Sequence, residues 1–465
     1  MVKHSAVTRS LSQSIRALQR QLPPGELRLD DASRNAHATD KWFAAALPDA
    51  VALPRRTSSV VKILKWANAH RVPVTARGAG FGYVGGCVPV LGGIALSLAR
   101  MNRIKEINPR DFVAVVEPGV ITATLQARAE KRGLFYPPDP ASRADCSLGG
   151  NIVTNAGGPR CLKYGVTRDY VLGLEVVLAD GTVIRPGSRT HKNKTGFEVA
   201  RLFVGSEGLL GVVTEATLKL LPLPPFRACV GVGFDSMRHA ARAIRDIFAA
   251  GFLPCAVEVA DAFTLAAAHK RTGSQKLAGC KAHLIVELDG QESSVRAELR
   301  AVERIVRGQK PLFVQREFGA ADCEKIWQLR REFSFALRDT GLLKFNEDIV
   351  VPRGRLEDLF AFAERLQKKH GFPVASFGHA GDGNLHVNVM VDRSQPGAMK
   401  RCDAALDDLF KQVLAWGGVI TGEHGIGLAK KPWWNLAVSP ELRAVHARLK
   451  SALDPRGILN PGKFV

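Results

Sequence analysis

Acid is what this 465-residue chain has too little of: 44 Asp and Glu face 65 Lys and Arg, leaving a net charge of +21 at pH 7. A field of that sign works against cationic partners and favours anionic ones, namely carboxylate substrates, acidic lipid or nucleic acid. No nucleic-acid-binding module is recognisable, so nucleic acid is set aside. A solvated basic surface and peripheral contact with an anionic membrane both stay open. Long apolar runs are missing too, none approaching the roughly 18 to 20 residues of a spanning helix, and no secretory signal is found. The eight cysteines form no Cys-x-x-Cys pair, which argues against an iron–sulfur or zinc-ribbon framework within the chain. Reduced thiols in the cytoplasm are the simplest account, with the inner-membrane surface as a further peripheral location. Residues 1–25 contain no acidic residue; Lys3, Arg9, Arg16 and Arg20 accompany Leu11, Ile15, Leu18 and Leu22 at helical spacing. That pattern predicts a basic amphipathic helix, although a transit peptide shares the composition. Internal repeats and low-complexity stretches are absent as well.

What the chain does carry is the composition of a folded protein, 46% hydrophobic and 23% charged, at a length that fits two or three domains. Val60, Val61, Ile63, Leu64 and Ala67 make a helical stripe ending near His70, after which 71–77 reads as a strand running into a glycine loop. Further strands are expected at 93–97, 112–117 and 212–221, a helix at 121–132, and a hairpin over 174–184 turning at Asp180-Gly181. Pro222, Pro224 and Pro225 mark a boundary. Beyond it, strands at 228–234, 255–259, 283–288, 348–351, 374–377 and 385–391 alternate with helices at 236–250, 293–307, 320–339 and 354–369. This is an α+β layer with one covered sheet. A last helix is expected at 439–453.

Chemistry concentrates in two C-terminal segments. His379 and His386 bracket a glycine-rich turn followed by Asn388, and Glu423-His424 lies within a second turn, Gly422 to Gly427. One histidine alone would read as a hydrogen-bonded core residue. Two imidazoles and a carboxylate are the ligand set that borderline divalent metals prefer, and a spare histidine beside them can move a proton near neutral pH.

Three glycine-rich loops precede these segments. Arg77-Gly78-Ala79-Gly80-Phe81-Gly82 follows a predicted strand but departs from the G-x-G-x-x-G spacing, so by itself it reads as a tight turn or an anion nest. The run Ser147 to Gly158 contains Gly149, Gly150, Asn151, Thr154, Asn155 and Gly157, small hydroxyl and amide donors among glycines. Such a run can clasp a pyrophosphate and a planar ring edge together. Gly205 to Gly208, with Glu207, precedes Gly211 and Val213. Three loops of this kind imply a large, extended, phosphate-bearing cofactor.

Taken together, 73–80, 136–142, 149–151, 205–208, both histidine segments and 460–463 resemble the FAD-linked oxidase family of the vanillyl-alcohol-oxidase type, with its PCMH-type FAD domain. The likeness covers nearly the whole chain and falls in the D-2-hydroxy-acid dehydrogenase branch, which holds the glycolate oxidase flavin subunit and D-lactate dehydrogenase. It implies an α+β fold: an N-terminal helical segment (1–44), a two-subdomain FAD-binding domain (45–224), a cap with a ferredoxin-like antiparallel sheet (225–416), and a C-terminal helical segment (417–465) returning to the FAD domain. Loops 77–82 and 147–158 would hold the pyrophosphate and ribityl chain, with Pro138, Asp139, Glu207, Gly211, Val213 and Asn460 along the cofactor. Relatives that tether flavin covalently use a histidine where this chain has Phe81, which implies non-covalent FAD. Two departures stand out: Leu209 replaces a usual threonine, and Phe197-Glu198 replaces tyrosine-aspartate.

By the same resemblance, His379, His386 and Glu423 are metal ligands, His424 is the base, and Asn388 is a neighbouring polar contact. Zinc suits the ligand types first, with manganese and ferrous iron as alternatives; the same residues can also polarise a substrate with no ion bound. Arg330 is expected to clamp a carboxylate through two parallel hydrogen bonds, with Arg331 the alternative one residue on. Lys344 and Ser334 are further expected substrate contacts, and Trp433-Trp434 is expected to be packing. The implied reaction takes a small D-2-hydroxy acid, glycolate or D-lactate, to the 2-oxo acid. Electrons would pass to a quinone, an electron-transfer flavoprotein or an iron–sulfur subunit. D-2-hydroxyglutarate or another longer acid, a non-catalytic flavin-binding subunit, and a homodimer are the alternatives left open.

Overall fold

The computed structural model describes residues 13–465, so Lys3, Arg9 and Leu11 of the basic N-terminal segment lie outside the described residues. Residues 13–21 are helical, and Ile15, Leu18 and Leu22 are buried in a core cluster with Ile63, Leu64, Ile94 and Leu96. The apolar stripe therefore packs into the fold. No helix among the described residues is long and apolar enough to cross a membrane.

Two units make up the chain. One comprises the residues up to Ala156, Val166–Leu223 and Glu423–Val465; the other comprises Gly157–Gly165 and Pro224–Gly422.

In the first unit, β1 (Leu27–Arg28), β2 (Ala50–Ala52), β3 (Val74–Arg77) and β4 (Ile94–Ser97) form a sheet in the order β1-β2-β4-β3. β4 pairs in parallel with both neighbours and is buried along its whole length, as expected of a parallel strand covered on both faces. The helix Thr57–His70 buries Val60, Ile63, Leu64 and Ala67, positions spaced for one face, and ends at Arg71 in the left-handed region. Pro73 follows, so the strand begins at Val74 and not at the expected residue 71. β3 also binds the C-terminal segment: Val74 N–H donates to Ile458 O at 2.7 Å, and Asn460 N–H donates to Val74 O at 2.8 Å. A second sheet runs β5 (Ile104–Asn108), β6 (Val113–Val116), β10 (Val212–Lys219), β8 (Val171–Val177), β9 (Val183–Ile184), and the short pair β7 (Leu134–Phe135) and β11 (Leu221–Pro222) stands beside it as a separate ladder. The single strand expected over 212–221 is thus two.

The second unit is built on one seven-stranded antiparallel sheet. Its strands are β12 (Phe226–Phe234), β13 (Ala256–Asp261), β14 (Ala282–Gly290), β15 (Phe313–Phe318), β16 (Leu343–Val350), β17 (Val374–His379) and β18 (Asn384–Val391), in the order β15-β12-β14-β13-β17-β18-β16. Helices Ala262–Thr272 and Ala320–Arg338 cover the face that carries Ala260, Ala375, Phe377 and Met390. Successive residues of a strand point to opposite sides, and Val257, Val259, Val286, Leu385, Val387 and Val389 on the other side are equally buried. Met237–Ala249, Glu292–Gly308, Leu356–His370 and Ala398–Ala415 pack there as the second layer.

Candidate active site

β17 and β18 form a hairpin in which His379 faces Asn384 and Phe377 faces His386. The register places both histidines on one face of the sheet, the one covered by Ala320–Arg338. Gly383 makes the turn possible: its φ is +85°, and a Cβ there would stand 2.1 Å from Val351 O. The two imidazole rings lie 5.8 Å apart, edge to face. Glu423, the third residue expected of this set, directly follows Gly422, the last residue of this unit. Asp348 on β16 sets that peptide. Its carboxylate accepts the Thr421 hydroxyl and the Gly422 N–H, each at 3.0 Å, and Asn384 Nδ2 at 2.7 Å. Two imidazoles this close on one sheet face suit a divalent ion, and a carboxylate is the ligand type that would complete such a set with a position left open for substrate.

Sequence reasoning missed Glu258. This carboxylate is buried on β13 opposite His379; it accepts His379 Nδ1–H at 2.5 Å and Arg330 Nε–H at 2.6 Å. Burial pushes its pKa up, but the His379 ring and the Arg330 guanidinium outweigh that and hold it below the ordinary carboxylate value. A charged residue inside the otherwise apolar strand 256–260 is the signal that was available. Arg330 and Arg331 are also resolved from one another: Arg330 turns inward to Glu258, whereas Arg331 pairs with Glu324 at the surface. One turn after Arg330, Ser334 Oγ accepts Lys344 Nζ–H at 2.9 Å. Burial, with Arg338 adding to it, pulls Lys344 down to about 8. Asn388 spends its amide nitrogen on Ala375 O and His386 O, at 2.9 and 3.0 Å, leaving Oδ1 as its buried acceptor. Trp434 packs on His446 and Phe464.

In the other unit the glycine loops are drawn together. Ala79 N–H donates to Ser147 Oγ at 3.2 Å, and Ser147 caps the helix Leu148–Thr154. A Cβ at Gly78 would come 2.4 Å from Ser147 Oγ, and one at Gly149 would come 2.5 Å from Pro118 Cβ. The missing side chains let these loops pack closely, and glycine-rich backbone at a helix start can present N–H groups to a pyrophosphate, which fits the extended cofactor inferred above. Other residues of these loops hold the loops themselves. Arg77 binds Thr39 O and Cys87, Asn151 Nδ2 binds Thr122, Thr154 Oγ1 binds Gly150 O, and Asn155 Oδ1 accepts Arg168 N–H. Pro138 O accepts from Gln126, and Asp139 is buried beside it. Gly211 and Val213 lie at the start of β10, and Gly157 opens the stretch assigned to the sheet unit. Glu207 accepts the N–H groups of Ile426 and Gly427 at 2.7 and 2.8 Å, so what it fixes is the loop after His424. Burial raises its pKa despite those bonds. Asn460 Nδ2 donates to Gly86 O and Glu207 O, and His424 stacks on Tyr83 at 5.3 Å.

Residues 48–187 match the family described as FAD binding domain, and residues 223–464 match the one described as FAD linked oxidases, C-terminal domain. The chain belongs to the FAD-linked oxidase family. Among its relatives, the glycolate oxidase subunit GlcD of Bacillus subtilis (strain 168) is 39% identical over 419 residues, covering 90% of this chain and 89% of that one. The D-lactate dehydrogenase of Anaerostipes hadrus is 32% identical over 430 residues, covering 91% and 90%. The fold recurs in the 4-ethylphenol oxidase of Gulosibacter chungangensis, with a TM-score of 0.77 at 22% identity over 98% of this chain and 97% of that one. As an FAD-linked oxidoreductase the chain has the mixed α+β fold of the vanillyl-alcohol-oxidase type, an FAD domain with a cap on a large antiparallel sheet.

Proposed function

We propose that this protein dehydrogenates a small D-2-hydroxy acid, glycolate or D-lactate, to the 2-oxo acid. The observation that carries the reading is the His379–His386 pair on the same sheet face as the buried Glu258–Arg330 pair. Arg330 offers its terminal nitrogens to the substrate carboxylate, since Nε is engaged by Glu258. Lys344 and Ser334 stand near it as further polar contacts, and Asn388 Oδ1 can accept from a substrate hydroxyl. His424 takes the hydroxyl proton on a ring nitrogen as the α-hydrogen leaves.

The glycine loops would hold FAD non-covalently, because Phe81 offers no nucleophile; FAD supplies the hydride acceptor. His379, His386 and Glu423 would hold a divalent ion, zinc by ligand type, whose chemistry is to lower the hydroxyl pKa. Electrons then pass to a quinone, an electron-transfer flavoprotein or an iron–sulfur partner. Glycolate oxidase and D-lactate dehydrogenase among the relatives support the substrate class.

The test is anaerobic mixing of the FAD-loaded, zinc-replete protein with glycolate, D-lactate, L-lactate and D-2-hydroxyglutarate. Bleaching of the flavin by the first two, and not by L-lactate, is expected. No bleaching with any of them would end the proposal; preference for D-2-hydroxyglutarate would move it to longer acids.

A further inference from the structure

Glu258 on β13 and Glu287 on β14 are buried acids on the sheet face that Ala320–Arg338 covers. They differ in what they hold. Glu287 binds Trp327 Nε1–H at 2.5 Å and Arg160 at 3.2 Å, groups that tie elements of the unit together. Glu258 binds one member of the cluster and one cation beside it.

We propose that Glu258 is a positioning residue that aims two groups at once: the His379 imidazole toward the metal and the Arg330 guanidinium toward the substrate carboxylate. The inference rests on the functional reading above for what those two groups do. Its geometry stands apart from that reading. An ionised carboxylate can only accept, so His379 Nδ1 must carry the hydrogen, and the lone pair is left on Nε2. That is the tautomer a metal ligand needs, and a carboxylate behind a ligating imidazole is a recurrent way of fixing it. The cross-strand pairing of Glu258 with His379 sets the ring from the sheet side. Arg330 arrives from the helix Ala320–Arg338, and its guanidinium lies 4.8 Å over the Phe377 ring. With Nε held by Glu258, the Nη pair presents end-on, the geometry a bidentate carboxylate clamp uses. One side chain therefore couples metal-site geometry to substrate-site geometry. Neither simple replacement reproduces this. Glutamine has a single acceptor oxygen, and aspartate is one methylene too short to reach from β13 to both partners.

The test compares wild type, Glu258→Gln and the control Glu287→Gln, all as full-length FAD-loaded protein. Zn²⁺ affinity is measured by chelator competition, and KM and kcat for D-lactate by flavin reduction. Glu258→Gln should bind Zn²⁺ about 10- to 100-fold more weakly and raise KM about tenfold or more, with FAD content unchanged. Glu287→Gln should stay within about twofold of wild type in both. Unchanged Zn²⁺ affinity and KM in Glu258→Gln, or the same loss in Glu287→Gln, overturns the proposal. Should Glu258→Gln not fold, Glu258→Asp must lose at least one of the two readouts; retention of both overturns it. ¹⁵N NMR of wild-type His379 must show the Nδ1–H tautomer, and the Nε2–H form overturns the proposal whatever the variants do. A wild type that oxidises no 2-hydroxy acid would sink the functional reading alone, because Zn²⁺ affinity and the His379 tautomer still decide this one.

Discussion

Asp348 holds Gly422: its carboxylate accepts the Gly422 N–H at 3.0 Å across 74 residues of sequence, while its other oxygen takes the Asn384 amide at 2.7 Å. The residue that follows Gly422 is Glu423. Asp348→Ala should remove three hydrogen bonds to the carboxylate, while the Gly422 N–H keeps the backbone Asp348 O and Asn384 Nδ2 keeps Ile349 O; the cost is about 1–3 kcal/mol of stability, and Glu423 should loosen. The expected outcome is a lower denaturation midpoint together with weaker Zn²⁺ binding, read by urea unfolding and chelator competition. Loss of stability with Zn²⁺ affinity intact would show that Glu423 is held by something else.

Gly78→Ala tests the close approach of the glycine loops. The new Cβ would fall 2.4 Å from Ser147 Oγ. Overpacking of this kind costs roughly 1–3 kcal/mol of stability, and the shift of Ser147 and Gly150 needed to make room should weaken FAD binding. The ratio of flavin to protein absorbance after gel filtration measures it, and full retention of flavin would count against these loops as the cofactor cradle.

Lys344 gives a pH dependence of definite sign. Its folded pKa is pulled by burial from 10.5 to about 8. Below about pH 8 both folded and unfolded chains carry the charge, and the folded chain bears the full cost of keeping it buried. As pH rises toward 10.5 that cost fades, so this group's contribution to stability is present above 10.5 and lost as pH falls through 8. Lys344→Met should therefore stabilise the protein at pH 7, by about 2 kcal/mol once the lost Ser334 hydrogen bond is set against the shift. The gain should vanish near pH 10.5. The same variant should raise KM for the hydroxy acid, so stability and function move in opposite directions. Denaturant titrations at pH 7 and 10, with KM at pH 7, check both halves.

Leu18→Ala examines the N-terminal helix. Leu18 is fully buried with Ile63 and Leu64 in one cluster, and truncation there should cost about 2–5 kcal/mol. An unchanged unfolding midpoint would mean that residues 13–21 do not belong to the cooperative fold.

How much of this was readable from residues alone follows from the distance over which each part is encoded. The glycine loops and the histidine turn are contiguous runs, so the sequence carries them openly. The roles of Glu258 and Asp348 depend on partners 72, 121 and 74 residues away, and no local pattern announces such pairings. Among the elements, β15 was not expected because Phe313–Phe318 carries Gln315, Arg316 and Glu317 in its middle and lies at the sheet's edge. The helix Ala262–Thr272 went unmarked because its alanines blur the apolar stripe. Glu207 is a different lesson. It stands in a glycine-rich loop of the kind that grips cofactors, yet both its oxygens serve the backbone of 426 and 427.

The pairing of Val74 with Ile458 and Asn460 bears on the order of assembly. The first sheet is specified early in translation but cannot be completed until residues 458–460 have left the ribosome, long after the other unit has been made. Contacts between such distant parts of a chain form late and slowly. Until then β3 presents an unpaired edge to its surroundings, a state in which a nascent chain is exposed to misassociation.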